Sequence, residues 1–216
     1  MKKVLILSHL INKDTPLYAG EKSILIKKVK SIGSGDSCNK TQCSFSTHTG
    51  THLDAPRHFL RKGKTISDLL AKELVYCKVC LADIKNVTPG NIIDENSLSK
   101  IKDCELLFIR TCFEKNRKKK VYWKNAPALD AGLALWLKKN CPSIRALGVD
   151  FISISNLENR ELGRQAHKAF LGNGILLIED MKLKDLKGAP DSVIVAPLPL
   201  ERAEAAPCTV FAFYNS

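Results

Sequence analysis

A chain of 216 residues with 44% hydrophobic and 26% charged residues has the balance of a globular protein, which excludes disorder along its whole length. Its 34 basic residues outnumber 22 acidic ones for a formal net charge of +12, and no stretch approaches the roughly 20 apolar residues that span a bilayer. The length suits one domain, 1–216, with no membrane partner.

Residues 4–8 (VLILS) read as a first buried strand. Two lysines before a short apolar run imitate a signal peptide, but Ser8 and His9 interrupt the run and no small-residue cleavage site follows. Residues 24–32 (ILIKKVKSI) alternate apolar and basic side chains as a half-exposed strand does, and a Gly-Ser-Gly-Asp loop at 33–36 leads to a further strand at 42–47. Residues 66–74 have helical spacing, and 73–84 (ELVYCKVCLADI) form one strong strand candidate. A short helix is expected at 97–101, a buried strand at 105–111 and an amphipathic helix at 128–139, with Leu133, Trp136 and Leu137 as its core stripe. Strands at 146–153, 174–179, 193–197 and 209–213 flank a helix at 159–173. Strands and helices alternate irregularly, which predicts an α/β or α+β class.

Eight cysteines are present, but a domain of this length does not depend on disulfides, so reduced thiols and a cytoplasmic location are expected. Cys77 and Cys80 have zinc-ribbon spacing without a second pair, and i,i+3 residues of a strand face opposite sides, so buried free thiols are expected there. The basic excess is scattered apart from one block at 115–120 (KNRKKK), which reads as an exposed loop. Aromatics are 6% and none interleaves with the block, so no nucleic-acid partner is predicted despite the charge. No Gly-x-Ser-x-Gly elbow and no phosphate loop occurs.

The chemistry concentrates in residues 48–58. Of five histidines, His48, His52 and His58 fall in this one segment, with Asp54 between them. Imidazole nitrogen and carboxylate oxygen are ligands of zinc and similar ions, and donors on one short piece of chain converge at little loop-closure cost. Gly50 and Pro56 argue against a regular helix, so the donors must converge from a strand that turns.

The segment 48–59 (HTGTHLDAPRHF) resembles the HxGTHxDAPxH signature of the cyclase family, which includes bacterial metal-dependent kynurenine formamidases and isatin hydrolases. The likeness extends over nearly the whole chain, through 7–11 (LSHLI), 15–20 (TPLYAG), 106–111 (LLFIRT), 148–153 (GVDFIS) and 171–181 (LGNGILLIEDM). The resemblance implies a single α/β domain of the swivelling β/β/α type, and a centre holding one or two divalent ions, zinc or alternatively manganese. It implies that His48, His52 and Asp54 bind one ion, that His167 binds a second, and that Asp54 and Glu179 are able to bridge. His58 would be the proton carrier, although its spacing from Asp54 also permits a ligand, and Tyr18 stands where kynurenine formamidases commonly place a Trp against the substrate.

The implied reaction is hydrolysis of an aryl formamide such as N-formylkynurenine by metal-bound hydroxide, with release of formate. The alternatives are ring opening of a cyclic amide such as isatin, attack on another small carbonyl compound, or metal binding without turnover. A homodimer or homotetramer is implied as well. Two departures affect the substrate pocket and not the metal ligands. Residues 205–209 (AAPCT) lack the glycine and arginine of the family's Gly-x-Pro-x-Arg run, and Ala19 replaces a frequent proline.

Overall fold

The computed structural model describes residues 3–98 and 101–215. Thirteen strands and three α-helices follow one another as β1 (Lys3–Ile6), β2 (Leu25–Lys30), β3 (Lys40–Ser44), β4 (His52–Asp54), β5 (Val75–Tyr76), β6 (Val79–Asp83), β7 (Ile92–Ile93), β8 (Leu106–Arg110), α1 (Val121–Lys124), β9 (Ala128–Leu129), α2 (Gly132–Asn140), β10 (Ala146–Val149), α3 (Arg160–Gly172), β11 (Leu176–Glu179), β12 (Ser192–Pro197) and β13 (Ala205–Tyr214). Nine strands form one mixed sheet in the order β5-β12-β13-β4-β11-β10-β8-β6, with β1 pairing on β13. Only Cys77 and Lys78 separate β5 from β6, the two ends of that path, so the sheet is rolled nearly closed on itself. This α/β, barrel-like architecture with few helices is the class the sequence led us to expect.

Three central strands, β8, β10 and β11, run parallel and carry apolar side chains on both faces, as strands covered on both sides must. Alternate residues divide between two cores. Leu107, Ile109, Leu147, Val149 and Leu177 pack with α2 and α3, whereas Leu106, Phe108, Ala146 and Ile178 point into the rolled sheet. The pleat therefore places Glu179, two residues beyond Leu177, on the helix side, where the candidate donors His52 and Asp54 also face.

The structure corrects several expectations. The predicted strand 73–84 is two strands, β5 and β6, which bend apart at Cys77 and lie at opposite ends of the sheet path. Glu105 holds that bend by accepting from the amides of Cys77 at 2.7 Å and Lys78 at 3.1 Å. Cys77 is consequently exposed and Cys80 half-buried, instead of both being core thiols. Residues 66–74 make two 3-10 turns, Ile66–Asp68 and Ala71–Leu74, because Leu69 and Leu70 are extended between them; Asp68 and Glu73 each accept from the amide that precedes their own turn. The helix expected from 128 begins at Gly132, where Asp130 accepts from the Gly132 amide, and Ala128–Leu129 pair in parallel with β7.

Residues 24–32 give a strand, β2, whose every residue is exposed, and it pairs with β3 in a two-stranded sheet of its own. In the basic block Arg117 turns inward to Asp180. The helix proposed at 97–101 falls partly on residues outside those described, and the part before it, Glu95–Ser97, is a 3-10 turn. No helix among the described residues is long and apolar enough to cross a membrane.

Candidate metal centre

Local sequence explains why the donors meet. Gly50 takes φ +65°, where a Cβ would press on Ile11 Cγ1 at 3.2 Å, and this left-handed turn sets the His48 ring 5.0 Å from that of His52. In β4, His52 and Asp54 are two residues apart and share the helix-side face, while the fully buried Leu53 enters the opposite core. Strand β11 pairs antiparallel with β4 in the register that puts Glu179 directly across from His52. On its other side β4 meets the buried Ala205 and Ala206 of β13.

Helix α3 supplies His167. Asn159 caps it by accepting from the Leu162 amide at 3.3 Å, and Gly163 lets it approach the loop so closely that a Cβ would lie 2.2 Å from Ser155 Cβ. His167 Nδ1 donates to the Gly163 carbonyl at 2.8 Å, and His52 Nδ1 donates to the Gly50 carbonyl at 2.9 Å. Both rings thereby turn Nε2 toward the same point.

The six residues His48, His52, Asp54, His58, His167 and Glu179 converge. Around Asp54 the separations are 3.1 Å from Oδ1 to His48 Nδ1, 3.5 Å from Oδ1 to His52 Nε2, 3.7 Å from Oδ2 to His167 Nε2 and 4.0 Å from Oδ2 to His58 Nε2. Glu179 Oε2 lies 3.4 Å from His52 Nε2, and Oε1 lies 3.4 Å from His167 Nε2. Ligands that share one tetrahedral zinc at 2.0–2.1 Å stand about 3.3 Å apart, so these spacings fit a shared cation. Among the described residues five buried polar side-chain atoms have no hydrogen bond, and three of them are His52 Nε2 and the two oxygens of Asp54. Buried unpaired donors facing one another are costly unless something binds between them. The donor set fits a divalent cation. His58 joins His48 and Asp54 within 4.8 Å, which suits a ligand or a proton carrier.

The charges are tuned together. Burial disfavours a charged His52, but the negative charges of Glu179 and Asp54 outweigh it and raise its pKa to about 9. The same contest raises His167, with Glu179 the main opposing influence. Burial and Glu179 push Asp54 up, yet the imidazoles of His48 and His52 hold it below the ordinary carboxylate value. Glu179 is likewise lowered against its burial by His167 and His52. His58 moves the other way, because burial outweighs the pull of Asp54 and lowers it to about 4.

Above the donors opens a cavity of about 500 Å³, lined by Tyr18, Leu17, Phe59, Ile152 and the site histidines, with Arg160 and Arg164 from the first turns of α3. Tyr18 thus stands in the wall where the sequence placed it. Four contributors were not foreseen. Glu204 Oε1 lies 3.3 Å from His48 Nε2 and accepts from Thr47 Oγ1 at 2.7 Å. The Ile154 amide at 2.7 Å and Ser153 Oγ at 3.1 Å donate to Glu179 Oε1. Phe59 stacks on His167 with centroids 4.6 Å apart. Glu204 directly precedes the departing run 205–209, the one sequence signal near it.

A family profile described as putative cyclase matches residues 5–156. The chain belongs to the cyclase family. Its relatives include a kynurenine formamidase of Bacillus thuringiensis (strain Al Hakam), 30% identical over 211 residues that cover 93% of this chain and 92% of the relative. The kynurenine formamidase of Geobacillus thermodenitrificans is 29% identical over 202 residues with the same coverage of both chains. Among solved structures, isatin hydrolase A from Labrenzia aggregata shares the cyclase fold with a TM-score of 0.85 at 18% identity, covering 100% of this chain and 94% of that one. A predicted metal-dependent hydrolase from Bacillus stearothermophilus superposes with a TM-score of 0.78 at 23% identity over the full length of both chains.

Proposed function

We propose that this protein hydrolyses an aryl formamide such as N-formylkynurenine, releasing formate and the free aryl amine. It is a metal-dependent amide hydrolase acting on C–N bonds other than peptide bonds. The observation that carries this reading is the set of unpartnered buried atoms, His52 Nε2 and both Asp54 oxygens, under an open cavity of substrate size. His48, His52 and Asp54 would hold one ion, zinc or manganese, and His167 would hold a second, with Glu179 as a further donor. When bound, such an ion supplies polarisation of a carbonyl and acidification of a water molecule.

The remaining work falls to the chain's own groups. Tyr18 and Phe59 flank the substrate's ring, and Leu17 and Ile152 keep the pocket apolar. Arg160 and Arg164 at the mouth offer cations to a substrate carboxylate. His58, half-exposed and 4.0 Å from Asp54, takes the proton of the attacking water and delivers it to the departing nitrogen as the C–N bond breaks and the C–O bond forms. Glu204 and the backbone of Ile154 hold His48 and Glu179 in place.

The whole chain, 1–216, acts as one domain, and eight unpaired cysteines support a cytoplasmic location. The exposed Leu25, Ile26 and Val29 of the hairpin support assembly with a second copy as a homodimer or homotetramer. A monomer by light scattering at micromolar concentration would overturn the assembly. Formate release from N-formylkynurenine by the zinc- or manganese-loaded protein, with His52→Ala as control, tests the activity. Turnover that needs metal and vanishes in the control is expected. Stoichiometric metal without formamide cleavage sinks the assignment, whether isatin is opened instead or nothing is cleaved.

A further inference from the structure

A second cavity of about 500 Å³ lies across the segment 17–21 from the first, and its lining is strongly basic. Lys13, Lys22, Lys118, Lys119 and Lys120 line it together with Arg117, against only Asp14 and Glu21. Asp180 neutralises Arg117, Nη2 to Oδ2 at 2.7 Å, and Tyr122 donates to the same carboxylate. Among the described residues none of the five lysines forms an ion pair. Five ammonium groups around one concavity repel one another, and an anion placed among them relieves that repulsion.

The basic block is not a loose loop. Arg117 ties its start to Asp180, and α1 fixes its end, with Lys120 Nζ 5.8 Å from the centroid of Trp123. The backbone that carries Lys118, Lys119 and Lys120 is thus fixed on both sides next to the cavity, which lowers the ordering cost of binding. A concavity of this volume encloses a small molecule. A polynucleotide needs an open basic track with stacking aromatics. Lysine is a point-charge binder of phosphate, and several lysines match a ligand with more than one phosphate group.

We propose that this cavity binds a small ligand carrying two or more phosphate groups. The segment 17–21 is the common wall of both cavities, with Leu17 and Glu21 facing each, so occupancy bears on the backbone that positions Tyr18. Ala19 in that wall has φ +59°, a conformation of limited stability for a residue with a Cβ.

Calorimetric titration of the metal-loaded full chain with inorganic pyrophosphate, and separately with ADP, tests the site, with tryptophan fluorescence as local readout through Trp123. Both ligands bind and compete, and Lys118→Glu/Lys119→Glu weakens them by about tenfold or more. Lys27→Glu/Lys28→Glu in the hairpin makes the same change in net charge and shifts binding by less than about twofold. Lys118→Gln/Lys119→Gln gives an intermediate loss and guards against misfolding of the charge-reversed protein. Equal weakening by both charge-reversed variants overturns the proposal, since it leaves only a long-range field. So does binding that disappears in His52→Ala but survives in the lysine variants, because pyrophosphate then sits on the metal. Tighter binding of a single strand of about 20 nucleotides at the same lysines replaces the small ligand by a polymer, and the absence of any binding removes the site.

Discussion

The β2–β3 hairpin lies directly before β4 in sequence, yet the hairpin and the β4–β11–α3 corner are opposites in construction. The hairpin leaves the body after Glu21 and returns just before His48, yet every residue of its two strands is exposed. At the corner His52, Asp54, His167 and Glu179 are all 3% exposed or less, and each is fixed by an element distant in sequence. Where many partners constrain a side chain, its identity is dictated by chemistry; where none does, only alternation is left. The corner is therefore expected to be intolerant and the hairpin permissive.

The largest effect is expected from His52→Ala. Loss of a direct donor exceeds the roughly 10–100-fold typical of an outer partner, so metal content by elemental analysis falls and formate release drops by more than a hundredfold. Retained metal and turnover would erase the contrast. Next is Arg117→Ala, which strands the buried Asp180 without its cation and costs about 3 kcal/mol in urea unfolding. A loss below about 1 kcal/mol would class that pair with surface bridges.

Glu204→Gln sharpens the comparison from the edge of the corner. It weakens the hold on His48 and lowers metal affinity by roughly tenfold, with apo-protein stability unchanged. A pH experiment adds a buried group away from the metal donors. Burial lifts Glu114 to about 7, although the Leu183 and Lys184 amides donate to it. The folded protein then binds this proton more tightly than the unfolded chain. The Glu114 contribution to stability therefore falls as pH rises from 4.5 to about 7, and Glu114→Gln flattens the thermal midpoint across that window. The smallest effect is expected in the hairpin, where Lys27→Glu/Lys28→Glu changes stability by less than about 0.5 kcal/mol.

The six converging residues were legible because a metal centre needs specific donor types, and those types stand out in sequence. Strands 105–111 and 174–179 were legible for a related reason, since burial on both faces demands unbroken apolar runs. Glu204 was hidden because its partner Thr47 is 157 positions away and a lone surface-type glutamate carries no signal. The break at Cys77 was hidden too. Its cause is a carboxylate on another strand, Glu105, capturing two amides that a continuous strand would have paired elsewhere.

That break governs how the rolled sheet is latched. Among the described residues no β-ladder joins the first and last strands of the path; Arg145 does part of that work, donating to the carbonyls of Glu73 and Val75 while its guanidinium lies 3.3 Å from Glu105 and 4.2 Å from the Tyr76 ring centroid. A ladder distributes its strength over many equivalent bonds, but this latch gathers it in two side chains, Arg145 and Glu105. The roll is thus secured like a buckled strap, and the buckle sits at the β5 end of the path, far along the chain from His52 on β4.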